Sequence, residues 1–117
     1  MQKLDLKITN GTVANSTETF RSDIGIKDGV IVAIGKEIGD SERIIDAKGQ
    51  LVLPGGIEAH CHIEQESSSG IMTSDDYYSG SVSAAFGGNT CIIPFAAQHR
   101  GQNLHDVLDL YLSLIHI

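Results

Sequence analysis

Leu53-Pro54-Gly55-Gly56-Ile57-Glu58-Ala59-His60-Cys61-His62 joins a Pro-Gly-Gly break to a short extended run that ends on two histidines in alternate positions. In an extended strand residues i and i+2 leave on one face, so His60 and His62 project together, Glu58 shares that face, and Cys61 points the other way. Two imidazoles on one side of a strand end are half of a metal site. Gly55 and Gly56 permit torsions or close approaches that a side chain would forbid, so the strand can bend or pack tightly where it starts. A bare His-x-His pair is more often incidental than functional, and its surroundings decide between the two.

Upstream of the histidines the chain alternates. Leu4, Leu6 and Ile8 alternate with Asp5 and Lys7 and run into Asn10-Gly11, which reads as the turn of a first hairpin before Thr12 and Val13. Ile24 and Ile26 lead through Asp28-Gly29 into Val30-Ile31-Val32-Ala33-Ile34-Gly35, a second hairpin. Arg43-Ile44-Ile45-Asp46 and Gln50-Leu51-Val52-Leu53 make two further strands around Ala47-Lys48-Gly49. Short strands at such close spacing predict a small β-sandwich or open sheet over residues 1–50.

Downstream the pattern changes to strand, loop, helix, strand, loop, helix over residues 51–117. Glu64 to Thr73, with Ser67-Ser68-Ser69-Gly70, reads as a loop leaving the histidine strand. A helix follows, with Thr73 or Ser74 as N-cap, Asp75 and Asp76 at the positive end of its dipole, and Gly87-Gly88 as its stop. Tyr77, Gly80, Ser81, Ala84 and Ala85 give it a face of mostly small residues, suited to close packing. Thr90-Cys91-Ile92-Ile93-Pro94-Phe95 reads as a strand buried on both faces with Pro94 at its end. Leu104, Val107, Leu108, Tyr111 and Leu112 recur at helical spacing. Such alternation implies parallel strands joined by helical crossovers, an α/β arrangement whose functional groups collect at the C-terminal strand ends. His60 and His62 lie at such an end, which favours the functional reading of the pair.

Composition narrows the chemistry. The 117 residues, 41% of them apolar, suffice for a globular domain. Eight Lys and Arg against 15 Asp and Glu give a net charge of −7, which disfavours nucleic acid or an anionic membrane surface and favours a small-molecule partner. Cys61 and Cys91 lack Cys-x-x-Cys spacing and read as packing residues of a protein kept reduced, hence cytoplasmic. No apolar run approaches the ~18 residues of a membrane span, and Met1-Gln2-Lys3-Leu4-Asp5 is not a secretory leader. His99 follows the second strand and could face a site at the strand ends, but reads better as an exposed loop residue. His105 and His116 read as surface residues, and Glu64 and Glu66 as loop carboxylates, with Glu64 the alternative third ligand. Phosphate loop, serine elbow and dinucleotide fingerprint are all missing.

Pro54 to His62 resembles the first metal motif of the amidohydrolase superfamily, and more narrowly of the cyclic amidohydrolases, the hydantoinases and dihydropyrimidinases. Ile45-Asp46-Ala47-Lys48-Gly49 is similar to that family's entry into its barrel. Thr73-Ser74-Asp75-Asp76-Tyr77 and Ala84-Ala85-Phe86-Gly87-Gly88-Asn89-Thr90 resemble its first barrel helix and second strand, so the likeness runs from about Leu4 to Leu104. The resemblance implies a β-sandwich contributed by Met1 to Gln50 beside a TIM-like (β/α)8 barrel, of which residues 51–117 supply the first two β/α units. It implies that His60 and His62 bind one of two divalent metals, usually zinc. Glu58 stands where the family usually carries Asp, and is read as supporting those ligands. The implied reaction opens the ring of a hydantoin or dihydropyrimidine to an N-carbamoyl amino acid by a metal-activated hydroxide, in a homo-oligomeric parent, dimer or tetramer, acting on small cyclic amides. The family's bridging carboxylated lysine, two further histidines and proton-shuttling aspartate lie on later strands, and a full barrel takes about 250 residues. The chain is therefore expected to be an N-terminal fragment of such an enzyme or a truncated gene product, inactive alone, with no catalytic residue of its own. Two other readings stand beside this one. A catalytically silent relative with an assembly role is favoured by Glu58 and opposed by the intact histidines; a small binding module is opposed by the exposed edges it would leave.

Overall fold

Strand β1 (Leu4–Ala14) is the axis of the first of two compact units, Met1–Pro54 and Gly55–Ile117. In the computed structural model, which describes residues 3–115, β1 pairs along one edge with antiparallel β2 (Thr19–Lys27). Its other edge takes β4 (Ser41–Asp46) and β5 (Leu51–Val52) in tandem, both parallel. β3 (Val30–Gly35) extends the sheet beyond β2. Of the two forms expected for this region, the described residues adopt the open sheet: all five strands share one hydrogen-bonded layer in the order β3-β2-β1-β4, with β5 on β1. Leu4, Val13 and Ile24 are buried on it, whereas Val30, Ile31, Val32 and Ile34 are each more than half exposed. Leu51 and Val52, expected with the second part of the chain, belong to the first because their backbones bond to Thr12 and Val13.

Asn10-Gly11 does not turn the chain. Between the pairs Ile8↔Ile24 and Gly11↔Ser22, β1 carries one residue more than β2, a β-bulge. Asn10 adopts the left-handed φ of 57° that a turn would also require. Its N–H donates to the Asp23 carboxylate at 3.1 Å and its side-chain amide to Asp46 at 2.9 Å, partners that hold it inside the strand. The first reversal comes at Asn15 to Glu18, where the Asn15 side-chain oxygen accepts the N–H groups of Thr17 and Glu18. The second hairpin is as expected, with Asp28 and Gly29 at φ 51° and 75° between Lys27 and Val30.

The second unit runs β6 (Gly56–Cys61), α1 (Tyr77–Phe86), β7 (Asn89–Pro94) and α2 (Leu104–Ile115). β6 and β7 pair in parallel across the helical connection, as the alternation of elements predicts. Ile63, Tyr77, Val107 and Tyr111 form the buried core, with Cys61, Ile92, Ala96 and Leu114 packed against it. Helix α1 buries Tyr77 and Gly80, the latter so closely that a Cβ on it would lie 3.1 Å from the Ile63 Cδ1, and half-buries Ala84, whereas Ser81 and Ala85 of the expected packing face are exposed. Its N-cap is Asp76, not Thr73 or Ser74: the Asp76 carboxylate accepts the Ser79 N–H at 2.7 Å, and the Ser79 hydroxyl accepts the Asp76 N–H at 3.2 Å. Thr73 is engaged elsewhere, its hydroxyl accepting the Gln65 N–H. Gly87 caps the helix and Gly88, at φ 89°, leads out of it.

Strand β7 ends at Pro94, as expected, but it is not buried on both faces. Ile92 packs toward the helices, whereas Ile93 is 55% exposed and Cys91 is exposed as well, because among the described residues this two-stranded sheet is covered only on the helix side. No described helix is long and apolar enough to cross a membrane.

Candidate metal centre

His60 and His62 leave the C-terminal end of β6 beside one another, their ring centroids 5.4 Å apart. Both are exposed, while the residues that alternate with them, Cys61 and Ile63, turn into the core. That division follows from strand periodicity: burial of Cys61 and Ile63 against Tyr77, Val107 and Tyr111 fixes which way the imidazoles must face.

A third ring joins the pair. The centroid of Phe95 lies 4.6 Å from that of His60 in an edge-on arrangement and 5.0 Å from that of His62, nearly parallel to it at 6°. Phe95 reaches this place because Pro94 ends the strand without an N–H, and the next amide, that of Phe95, bonds the Cys61 carbonyl at 3.0 Å. The side chain is thereby set beside the histidines on the neighbouring strand.

Glu58 is placed differently from the expected common face with the two histidines. The register shifts between Glu58 and Cys61, interrupting the simple alternation, and the Glu58 Oε1 accepts the backbone N–H of His60 at 2.9 Å. Its carboxylate therefore braces the strand that carries the ring. The thiol of Cys61 is held above its ordinary pKa by burial and further by the negative charge of Glu58, so it is a packing group and not a ready thiolate ligand. At the foot of β6 the close approach foreseen for the glycines is present: a Cβ on Gly55 would stand 2.0 Å from Thr90 Oγ1, and one on Gly56 2.3 Å from Asn89 Oδ1.

The loop after β6 is more ordered than its serines suggest. Glu66 and Met72 pair across it, and Gln65 and Thr73 exchange two bonds, Thr73 N–H to the Gln65 carbonyl and Gln65 N–H to the Thr73 hydroxyl, each 3.0 Å. Gln65, so anchored, brings its side-chain Oε1 to 2.6 Å from the His62 Nδ1. Glu64, at a left-handed φ of 49°, is neither a free loop carboxylate nor drawn to the histidines; its Oε2 accepts the Tyr77 N–H at the start of α1. His99 lines a cleft with Glu64, Glu66, Met72 and Tyr111 on the α2 side, its N–H bonded to Gln102 Oε1 at 2.7 Å. His105 is exposed on α2, as expected, and His116 lies outside the described residues. Among the described residues no third His, Cys, Asp or Glu converges with His60 and His62. Sequence reasoning missed Gln65 and Phe95: the first acts through a loop closure at Thr73, the second through a pairing of strand ends, and neither carries a local signature.

The N-terminal half of the chain, residues 1–58, matches the family described as urease alpha-subunit, N-terminal domain. D-hydantoinase of Ralstonia pickettii is 42% identical over 105 residues, which are 90% of this chain and 23% of that protein. Dihydropyrimidinase of Dictyostelium discoideum is 40% identical over 104 residues, 87% of this chain and 20% of that protein. A solved structure of D-hydantoinase superposes with a TM-score of 0.86 at 40% identity, covering 95% of this chain and 24% of that one. The chain belongs to the hydantoinase and dihydropyrimidinase family. It spans less than a quarter of the length of these relatives. Within this hydantoinase-like chain the likeness takes in both units, the open sheet as well as the β6-α1-β7-α2 unit with its two histidines.

Proposed function

We propose that this chain is the N-terminal part of a metal-dependent hydrolase of cyclic amides, in which His60 and His62 supply two ligands to a divalent metal, with zinc the first candidate of the two ions expected in the whole site. The observation that carries the reading is the pair itself: two exposed imidazoles 5.4 Å apart at the C-terminal end of a strand that runs parallel to its neighbour. The donors suit the group, since imidazole nitrogen is a preferred zinc ligand and a site open on one side leaves room for water and substrate. A divalent ion held there supplies two things, water acidified to a pKa of about 7 and polarisation of an amide carbonyl. The chain's own residues position and orient: Glu58 braces the backbone of His60, and Phe95 stacks on the His62 ring and meets that of His60 edge-on.

In this reading β6-α1-β7-α2 is the opening of a (β/α)8 barrel, and later strands contribute the remaining ligands, the proton shuttle and the substrate contacts. Two imidazoles do not complete a hydrolytic centre, so the 117-residue chain alone is inactive. The substrate is a small hydantoin or dihydropyrimidine, opened to an N-carbamoyl amino acid by a homo-oligomeric cytoplasmic enzyme. The complete protein, supplied with zinc and assayed for ring opening of hydantoin and dihydrouracil, tests this. His60→Ala and His62→Ala are expected to abolish turnover and to remove stoichiometric zinc. Wild-type protein that opens neither ring, or variants that keep full zinc and rate, would sink the proposal.

A further inference from the structure

The bond between Gln65 and His62 reaches further than orientation. A side-chain amide oxygen only accepts, so a 2.6 Å contact between Gln65 Oε1 and His62 Nδ1 requires the ring proton to sit on Nδ1. A neutral imidazole has one such proton, and Nε2 is then left with a free lone pair. The reverse orientation of the amide would donate to Nδ1 and place the ring proton on Nε2, so neither nitrogen would have a lone pair to spare. Only the oxygen-inward arrangement is compatible with metal binding.

Two further features hold that arrangement. The Gln65 backbone is tied at both its N–H and its carbonyl to Thr73, so the side chain starts from a fixed point. Phe95 lies nearly parallel to the His62 ring at a centroid distance of 5.0 Å and restricts rotation of its plane. His60 meets Phe95 edge-on rather than in parallel, and among the described residues neither of its ring nitrogens has a hydrogen-bond partner, so the two histidines are held unequally.

We propose that Gln65 is a positioning residue for the metal centre: it selects the Nδ1–H tautomer of His62 and thereby assigns Nε2 as the ligating nitrogen. The inference rests on the metal-ligand reading of His62 given above. Partners of this kind change metal affinity by about 10- to 100-fold when removed.

The test uses the complete protein labelled with ¹⁵N-histidine. In the metal-free state, the His62 nitrogen shifts are expected to report the Nδ1–H tautomer, and Gln65→Leu to shift the ring toward Nε2–H. Zinc affinity of Gln65→Leu is expected to fall by about 10-fold or more, while Gln65→Glu, which keeps an acceptor oxygen at the same reach, preserves both tautomer and affinity. Unfolding of Gln65→Leu is checked by circular dichroism, and the Gln65→Glu rescue decides the matter if that variant is unstable. A His62 ring with its proton on Nε2 in the wild type, or a Gln65→Leu protein with unchanged tautomer and unchanged affinity, overturns the inference. Zinc binding that is lost in His62→Ala yet unaltered in Gln65→Leu overturns it while leaving the metal-ligand reading intact. Zinc binding indifferent to His62→Ala overturns both.

Discussion

The ring of Phe95 lies 6° from parallel to that of His62, with centroids 5.0 Å apart, and the same phenyl meets His60 edge-on at 4.6 Å. One aromatic side chain therefore restricts both candidate ligands. Aromatic pairs of this geometry contribute about 0.5–1.5 kcal/mol each beyond the area they bury. Phe95→Ala is expected to lower zinc affinity of the complete protein by up to about tenfold, and Phe95→Tyr to leave it unchanged. Isothermal titration with zinc checks this; an affinity equal in all three proteins would assign Phe95 to packing alone.

The histidine pair was legible in the sequence because the rule that places His60 and His62 together is local: strand alternation acts between neighbours and needs no knowledge of the rest of the fold. The parallel β6-α1-β7 arrangement was legible for the same reason, from periodicity and from the Gly87-Gly88 stop. What escaped depends on distant partners. The left-handed Asn10 fits a turn or a bulge equally well, and the choice is made by Asp23 and Asp46, 13 and 36 residues away. Asp76 outcompetes Thr73 as N-cap because Ser79 completes a reciprocal pair of bonds with it while Thr73 is committed to Gln65. Glu58 left its expected face because an extra residue in β6 relative to β7 resets the alternation, and that shift belongs to the pairing of two strands.

Asn10 offers a test of the bulge. Its side-chain amide is the largest of the influences that hold the Asp46 carboxyl below the usual carboxylate range, the Lys48 N–H being the next. Asn10→Gly keeps the left-handed torsion and removes only that amide, whereas Asn10→Val also forces a branched side chain into a conformation that costs roughly 1–2 kcal/mol. NMR titration is expected to show the Asp46 pKa moving up in both variants, and urea unfolding to rank stability as wild type, Asn10→Gly, Asn10→Val. An Asp46 titration unmoved by Asn10→Gly would show that the amide does not reach it in solution.

The cap of α1 predicts an acid limb in the stability profile. The Ser79 N–H, then the Ser79 hydroxyl, hold the Asp76 carboxyl below its ordinary value of 3.8. A carboxyl with a lower pKa in the folded chain than in the unfolded one stabilises the fold above the unfolded value and loses that contribution as the pH falls from about 3.8 through the folded pKa. Asp76→Asn retains an acceptor but does not titrate, so its stability is expected to fall less steeply over that window. Asp76→Ala is expected to be less stable at neutral pH by roughly a few degrees of Tm, since a neutral methyl cannot accept the Ser79 N–H. Thermal melts between pH 2 and 7 measure both; parallel profiles for wild type and Asp76→Asn would remove the cap as the source of the acid limb.

Gly55→Ala is the sharpest test of how β6 is seated. The added Cβ would stand 2.0 Å from Thr90 Oγ1, 2.4 Å from its Cγ2 and 2.7 Å from its Cβ. Rotation of Thr90 can relieve the first two contacts, but the third is fixed by the backbone of β7. The strands must part at their start, at a cost of about 1–3 kcal/mol typical of overpacking. Thr90→Ala in the Gly55→Ala background is therefore expected to recover only part of the loss. Thr90→Gly, which removes the Cβ, is expected to cancel the steric coupling, measured as a double-mutant cycle by urea unfolding. Because β6 carries the histidines at its far end, Gly55→Ala should also weaken zinc binding in the complete protein and the Thr90→Gly partner restore it. If Gly55→Ala unfolds at the wild-type urea midpoint, the strands have slack that this packing does not provide for.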